Sequence, residues 1–266
     1  MTDDSAFDAI AASYDETFTY TEIGRMQRDR VYFYLSKIMA GLDGNSILEL
    51  GCGTGEDAIW FAKKKFVVKA TDISEKMIRE AKCKSERAGF HSEVTFQSLS
   101  MTDIGTLPKD EKYDLIFSNF GGFNCLSPMQ IQAMSGSLAD RLHPGGQLIA
   151  VVMNRFCLWE SLYFLSKFSI RKAFRRLSPE GILAPINKNA SVKTWYFSPF
   201  KFYSLLAPNF MMVAHYPIGF FIPPSYLSGF GSGWLRNLNR LERIVQDMPL
   251  ACRVSDHFII HLKKSD

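Results

Sequence analysis

Nine residues constrain this chain more than any others. Ile47-Leu48-Glu49-Leu50 runs directly into Gly51-Cys52-Gly53-Thr54-Gly55, and Glu56 opens a helix-periodic stretch that lasts to residue 65. An apolar strand that feeds a glycine turn and then a helix begins a parallel α/β sheet, because a crossover must carry the chain back before the next parallel strand can form. Such a turn bares backbone amides at the carboxyl edge of the sheet, where a ligand can approach the main chain closely. The pattern also discriminates among ligands. A P-loop needs G-x-x-x-x-G-K-[ST], and no lysine stands at the required place. The dinucleotide fingerprint G-x-G-x-x-G would put its third glycine at position 56, where Glu56 would turn an acidic group toward a pyrophosphate.

The alternation continues. Residues 67–71, 93–97, 113–118 and 147–153 read as further strands, separated by helical patterns at 74–88, begun by a Ser74 cap, and at 129–142. These strands are nearly continuously apolar, as strands covered on both faces are. Ahead of them, residues 6–40 show helical spacing, with Val31, Tyr34, Leu35 and Ile38 on one face. Beyond Asn154 the alternation pauses. Residues 156–177 read as one helical stretch, aromatic in its first half and bearing Lys167, Arg171, Lys172, Arg175 and Arg176 in its second, before Pro179, Gly181 and Pro185 end it. The basic half reads as a solvated face, or as an attraction for an acidic or lipid-like substrate. Strands at 192–197, 211–216 and 257–262 follow, with helices at 199–206 and 234–246.

Four segments in this order resemble the class I S-adenosylmethionine-dependent methyltransferases of small-molecule type: Glu49-x-Gly51-x-Gly53-x-Gly55, then Asp72 closing the second strand 17 residues after Gly55, then Tyr113-Asp114-Leu115-Ile116, and Leu142-His143-Pro144-Gly145-Gly146 before the fifth strand. The resemblance covers residues 6–153 in detail and the rest only in element order. It implies an α/β fold: a seven-stranded, mostly parallel Rossmann-like sheet with helices on both faces, a last antiparallel strand, and a helical lid inserted after strand 5. The chain then divides into an N-terminal helical cap (1–45), a cofactor-binding half (46–154), the insertion (155–191) and a C-terminal half on the substrate side (192–266).

The resemblance also implies a cofactor, S-adenosyl-L-methionine, leaving as S-adenosyl-L-homocysteine, and a set of residues around it. Glu49, Gly51, Cys52, Gly53 and Gly55 form the turn, with the backbone at Gly51 and Gly53 facing the methionine part. Asp72 accepts hydrogen bonds from both ribose hydroxyls, and Ile73 and Met77 flank ribose and adenine. Ser100, beside Met101, stands where the family usually has an adenine-contacting acid, and Asn119 and Phe120 follow the fourth strand. Tyr14, with Asp15, closes over the cofactor from the N-terminal helix, and Arg28 reaches its carboxylate. A sulfonium cation without phosphates calls for no Lys or Arg cluster, and the charges near the turn are Glu49, Glu56, Asp57 and Asp72.

The methyl acceptor is less legible. Ser118-Asn119-Phe120-Gly121-Gly122 lacks the N/D-P-P-Y/F signature of methyltransferases that act on the amino group of adenine or glutamine. Twenty of the 36 aromatic residues lie beyond Val151, which suits a ring-lined pocket for a small, apolar or aromatic acceptor, though a packed core would use rings equally well. Tyr14, Asn124, Trp195, Tyr196 and His215 are candidate acceptor contacts. His215, Tyr216, Tyr196 and His257 are candidate bases, and the catalytic residue is left open. His143 reads as a turn residue. Three functions remain: a small-molecule methyltransferase, a methyltransferase on a membrane lipid or quinone, and a non-catalytic cofactor-binding module.

Composition narrows the partners. A net charge of +4 is too mild for a nucleic-acid coat. Five cysteines, odd in number and never in a C-x-x-C pair, suggest neither a disulfide framework nor a zinc site, and no H-E-x-x-H or similar spacing implies a metal. The opening Met1-Thr2-Asp3-Asp4 is not a secretory leader, and no apolar run approaches a membrane span. A cytoplasmic monomer or homodimer with a small-molecule acceptor, and at most peripheral membrane contact, is expected.

Overall fold

The computed structural model describes residues 3–187, 190–227 and 230–265. The N-terminal part is helical but broken: α1 (Asp3–Asp8), two tight helical turns at Ala11–Ser13 and Asp15–Thr19, then α2 (Glu22–Met39). Thr21 starts α2 by accepting a hydrogen bond from the Gly24 amide at 3.0 Å. The continuous helical spacing expected over residues 6–40 thus resolves into an arm and one long helix.

The alternating part follows the expected order: β1 (Ser46–Leu50), α3 (Glu56–Lys63), β2 (Val67–Asp72), α4 (Glu75–Ala88), β3 (Val94–Ser98), β4 (Tyr113–Ser118), α5 (Pro128–Asp140) and β5 (Leu142–Met153). Ser74 caps α4, and Gly89 ends it in the left-handed conformation. α5 begins on a capping box between Ser127 and Gln130 with Pro128 in its first turn. After β5 come α6 (Leu158–Ser166), α7 (Ile170–Ala173), β6 (Ile182–Pro185), β7 (Ser191–Thr194), α8 (Pro199–Leu206), β8 (Phe210–Ile218), α9 (Ser232–Glu242) and β9 (His257–Lys264).

Seven strands form the main sheet in the order β3-β2-β1-β4-β5-β9-β8. The first five are parallel, and β9 lies antiparallel between β5 and β8. The nearly continuous apolar strands supply both faces, since alternate residues point opposite ways. Leu48, Leu50, Leu148, Ala150 and Val152 join α5 and α8 in one core. Ile47, Ile149 and Val151 join α2 and α3 in the other. A fully buried Leu or Phe contributes about 1.5–3 kcal/mol relative to exposure, so the two cores fix which way each helix lies. The carboxyl ends of β1, β2 and β4 converge on one edge, and the pairing of Met153 with His257 brings the start of β9 to that edge.

Two expectations are corrected. The stretch at 156–177 is not one helix: α6 ends at Ser166 and the chain turns at Phe168, whose φ of 54° is left-handed. The Phe168 and Ser169 amides close the turn on the Leu165 and Phe164 carbonyls, both at 2.9 Å. Nor is its basic half simply solvated, because Arg176 is buried. The strand expected at 192–197 stops at Thr194 and pairs only with β6, in a two-stranded ribbon outside the main sheet. There the Trp195 amide turns away to the Asn124 carbonyl at 2.8 Å.

Candidate functional site

At the carboxyl edge, Gly51, Gly53 and Gly55 all have left-handed φ values, of 68°, 52° and 76°. Glycine adopts that region without the steric penalty of a Cβ. The loop is pinned at its base by the Cys52 amide, which donates to the Thr71 carbonyl at 2.9 Å. Asp72, at the end of β2, accepts from the Gly53 amide at 2.8 Å and, through its other oxygen, from the Ser74 amide at 2.9 Å. Burial raises the Asp72 pKa and these backbone bonds pull it back down, leaving a net upward shift.

A cleft of about 800 Å³ opens above this turn. Its walls include ten of the fourteen residues expected at the cofactor: Tyr14, Gly51, Gly53, Asp72, Ile73, Met77, Ser100, Met101, Asn119 and Phe120. Glu49, Cys52, Gly55 and Arg28 are not in its walls. A Cβ on Gly55 would lie 2.9 Å from the Ala81 Cβ and 3.0 Å from the Phe96 ring, so this glycine lets α3 settle against α4 and β3. Arg28 pairs with Asp57 beneath the cleft, its guanidinium 5.1 Å from the Phe120 ring centre. Asp57 also accepts from the Tyr32 hydroxyl at 2.8 Å and from Asn119 Nδ2 at 2.9 Å, and Asn119 Oδ1 accepts from the Phe120 amide at 2.9 Å. Asp57 therefore ties α2, α3 and the loop after β4 into one unit. Phe120 sits in that loop with a φ of 41°, a conformation that costs a bulky residue about 1–3 kcal/mol and is held by its surroundings.

The N-terminal arm covers the cleft. Phe7 and Tyr14 line it, and two carboxylates hold the arm down. Asp8 accepts from the Ser74 hydroxyl, and Asp15 accepts from the Thr54 hydroxyl at 2.6 Å and pairs with Lys84. Burial pushes the Tyr14 hydroxyl up to about 12, so it stays protonated and is able to donate. An aromatic chain runs on from it: Tyr14 to Phe18 at 5.6 Å, Phe18 to Phe120 at 5.2 Å, and Phe120 to His257 at 5.7 Å between ring centres. His257 Nδ1 lies 3.1 Å from Asp256 Oδ2. Burial alone would raise the Asp256 pKa, but His257 and Arg176 hold it well below the usual carboxylate range.

The expected acceptor contacts do not converge. Asn124 is fully buried, and its side chain is fully occupied: Nδ2 donates to the Met153 carbonyl at 3.2 Å and the Trp195 carbonyl at 2.6 Å, while Oδ1 accepts from the Met153 amide at 2.8 Å. It is a bracket between β5 and the segment after β7. Trp195 packs on Gly181 and the core, and Tyr196 lies against the Arg176 guanidinium at 5.0 Å. His215 faces a separate groove with Phe200 and Arg155. Conversely, Phe7, Leu99, Gly121, Gly122, Cys125 and Leu126 line the cleft without having been singled out as contacts. The Gly121-Gly122 pair was the legible signal: a Cβ on Gly122 would fall 2.6 Å from Met101 Cε and 2.8 Å from Ser118 Oγ.

The cleft fits an S-adenosylmethionine better than a nucleotide. Asp72 is the single charged side chain in its walls, among the described residues, so nothing there would neutralise phosphates. Under the turn, Glu49 Oε2 is buried with no hydrogen-bond partner. Burial raises the Glu49 pKa well above the ordinary value, and Asp57 adds to it. A buried carboxyl group without a partner is costly unless a donor or a positive charge comes to it. A ligand carrying an ammonium and a sulfonium in the cleft would set positive charge above it.

Comparison with known proteins agrees. Residues 47–146 match the family described as "Methyltransferase domain". A demethylmenaquinone methyltransferase from Clavibacter sepedonicus is 29% identical over 143 residues, 54% of each chain. The chain spans about half the length of the curated relatives it matches. At the level of fold alone, the CcbJ methyltransferase from Streptomyces caelestis superposes with a TM-score of 0.63 at 14% identity, covering 99% of this chain and 100% of that one. The N-methyltransferase NodS from Bradyrhizobium japonicum WM9, solved with S-adenosyl-L-homocysteine, gives 0.58 at 13%, covering 99% and 98%. The turn, the ribose-side acid, the strand order and these matches agree: the chain carries a methyltransferase domain at residues 47–146, in the fold shared with the S-adenosylmethionine-dependent methyltransferases, whose cofactor the cleft fits.

Proposed function

We propose that this chain methylates a small, apolar or aromatic acceptor bound beside Phe120 under the N-terminal arm. The observation that carries this reading is the cleft wall itself: Phe7, Met101, Phe120 and Leu126 are apolar, and among the described residues the wall holds no cation for a polyanionic acceptor. The cofactor supplies a methyl group on a positively charged sulfur, ready for in-line displacement. The protein's tasks are then alignment and exclusion of water. Gly51 and Gly53 present backbone to the cofactor's amino-acid part, Asp72 takes the ribose hydroxyls, and Ile73, Met77 and Met101 hold the adenine. Tyr14 and Phe18 close the arm over the reacting centre. For an acceptor that must lose a proton, His257 is a candidate base: it packs edge-on against Phe120 behind the cleft wall, with Asp256 beside its Nδ1.

The test is formation of S-adenosyl-L-homocysteine across a panel of phenols, quinols, amines and carboxylic acids, followed by mass spectrometry of the product. A mass gain of one methyl group on an apolar acceptor is the expected result. Tight cofactor binding with no turnover on any acceptor would favour a non-catalytic binding module instead.

A further inference from the structure

The insertion after β5 carries exposed apolar surface that the cleft does not use. On α6, Leu158, Leu162 and Leu165 recur at i, i+4 and i+7, and all three are exposed. At the turn into α7, Phe168 is 96% exposed and Ile170 68%. Phe168 is also the residue with the left-handed backbone, so the fold bears a strained conformation to hold a ring that packs on almost nothing. Around this tip stand Lys167, Arg171 and Lys172, all exposed, and no Asp or Glu occurs between Glu160 and Glu180.

Arg175 and Arg176, just beyond the tip, do different work. Arg175 Nε bonds Glu160 Oε1 at 2.6 Å, and Arg176 bonds Glu160 Oε2 and Asp256 Oδ1, both at 2.8 Å. Burial works against the charge on Arg176, but the carboxylates around it keep its pKa raised. This buried ion cluster clamps α6 and the turn after α7 to the start of β9. The exposed tip is therefore mounted rigidly on the sheet.

We infer that the α6–α7 tip docks this protein onto an anionic lipid bilayer, with Phe168, Ile170 and the α6 leucines entering the headgroup and acyl boundary and Lys167, Arg171 and Lys172 meeting lipid phosphates. Charge complementarity selects this occupant. Lysine is depleted from the cores of protein–protein interfaces, and a nucleic acid has no use for an aliphatic stripe, whereas basic residues flanking exposed apolar ones are the signature of an interfacial helix. Among the described residues no helix is long and apolar enough to cross a membrane, so the element lies in the interface. The insertion leaves the sheet at Asn154, the end of β5 that faces the cleft. Docking brings the cleft to the lipid surface, and the acceptor class becomes an apolar molecule dissolved in the membrane. That last step rests on the methyltransferase reading; the docking does not.

Co-sedimentation of the full chain with phosphatidylcholine vesicles, with and without 30 mol% phosphatidylglycerol, tests this at low and high salt. Binding to the anionic vesicles at least tenfold tighter than to the neutral ones, weakened by salt, is expected. F168S/I170S should lose at least tenfold on anionic vesicles, and K167Q/R171Q/K172Q should lose the anionic preference, while both keep wild-type S-adenosylmethionine affinity by calorimetry. Equal binding to both vesicles, no binding, or unchanged binding by F168S/I170S overturns the proposal. If F168S/I170S instead converts a dimer to a monomer without vesicle binding, the face belongs to a second copy of this chain and the proposal is likewise overturned. Vesicle binding with no methyl transfer to any acceptor would leave docking standing and remove the acceptor assignment.

Discussion

Asp72→Asn is the most informative single substitution. In the folded chain the two carboxylate oxygens accept from the Gly53 and Ser74 amides at 2.8 and 2.9 Å, and each retains a lone pair for a ribose hydroxyl. Asparagine keeps the shape but removes the charge, and it turns one acceptor into a donor that meets a backbone N–H head-on. Charge-assisted hydrogen bonds contribute about 1.5–3 kcal/mol each and neutral ones about 0.5–1.5. Weakening two and losing the fit of a third amounts to roughly 3–4 kcal/mol, a Kd increase of about 10²–10³-fold. Isothermal titration with S-adenosylmethionine and S-adenosylhomocysteine measures it, and thermal unfolding of the unliganded protein separates binding from loop damage. The pH dependence supplies a second readout. Burial raises the Asp72 pKa, so the carboxylate is protonated at a higher pH than an ordinary aspartate. Wild-type affinity should fall as the pH drops toward that value, and D72N should not follow it. A D72N Kd within threefold of wild type, or an identical acid limb, would refute the assignment.

Three further outcomes follow from the geometry. Asn124→Ala removes three buried hydrogen bonds and should cost about 2–4 kcal/mol of stability in urea unfolding, with the acceptor KM of the folded fraction unchanged; a large KM effect would restore it as an acceptor contact. His257→Gln should lower kcat by about 10²-fold for a protic acceptor, while leaving cofactor affinity intact. Burial lowers the His261 pKa from 6.5 to about 4, so between those pH values the unfolded chain binds the extra proton. Stability should therefore fall by about 2–3 kcal/mol as the pH drops through this window, and His261→Gln should abolish that slope.

The sheet was legible because its strands are apolar on both faces and each is punctuated by a glycine turn or a helix cap, signals that depend on a few adjacent residues. The cofactor side of the cleft was legible for the same reason: Gly51, Gly53 and Asp72 act through backbone close by in space and fixed in order. Asn124 misled because a buried bracket and a ligand contact use the same amide, and only the positions of Met153 and Trp195 distinguish them. Arg175 and Arg176 misled because their partners, Glu160 and Asp256, lie up to 80 residues away. The aromatic excess beyond Val151 proved divided: Phe197, Phe202, Phe210 and Phe258 are core, and Phe168 is at the surface. His257 acquires its carboxylate from its sequence neighbour Asp256, but its place beside Phe120 follows from β9 pairing with β5.

The arm over the cleft is fastened by Asp8 to Ser74 and by Asp15 to Thr54 and Lys84. None of these three contacts need touch a ligand, yet all must part before the arm can lift from the cleft. Dwell time and affinity are thereby governed by different residues. Loosening the fastening by substitution at Asp15 should hasten escape of the spent cofactor, and, where that escape limits the cycle, a weaker hold should make a faster enzyme.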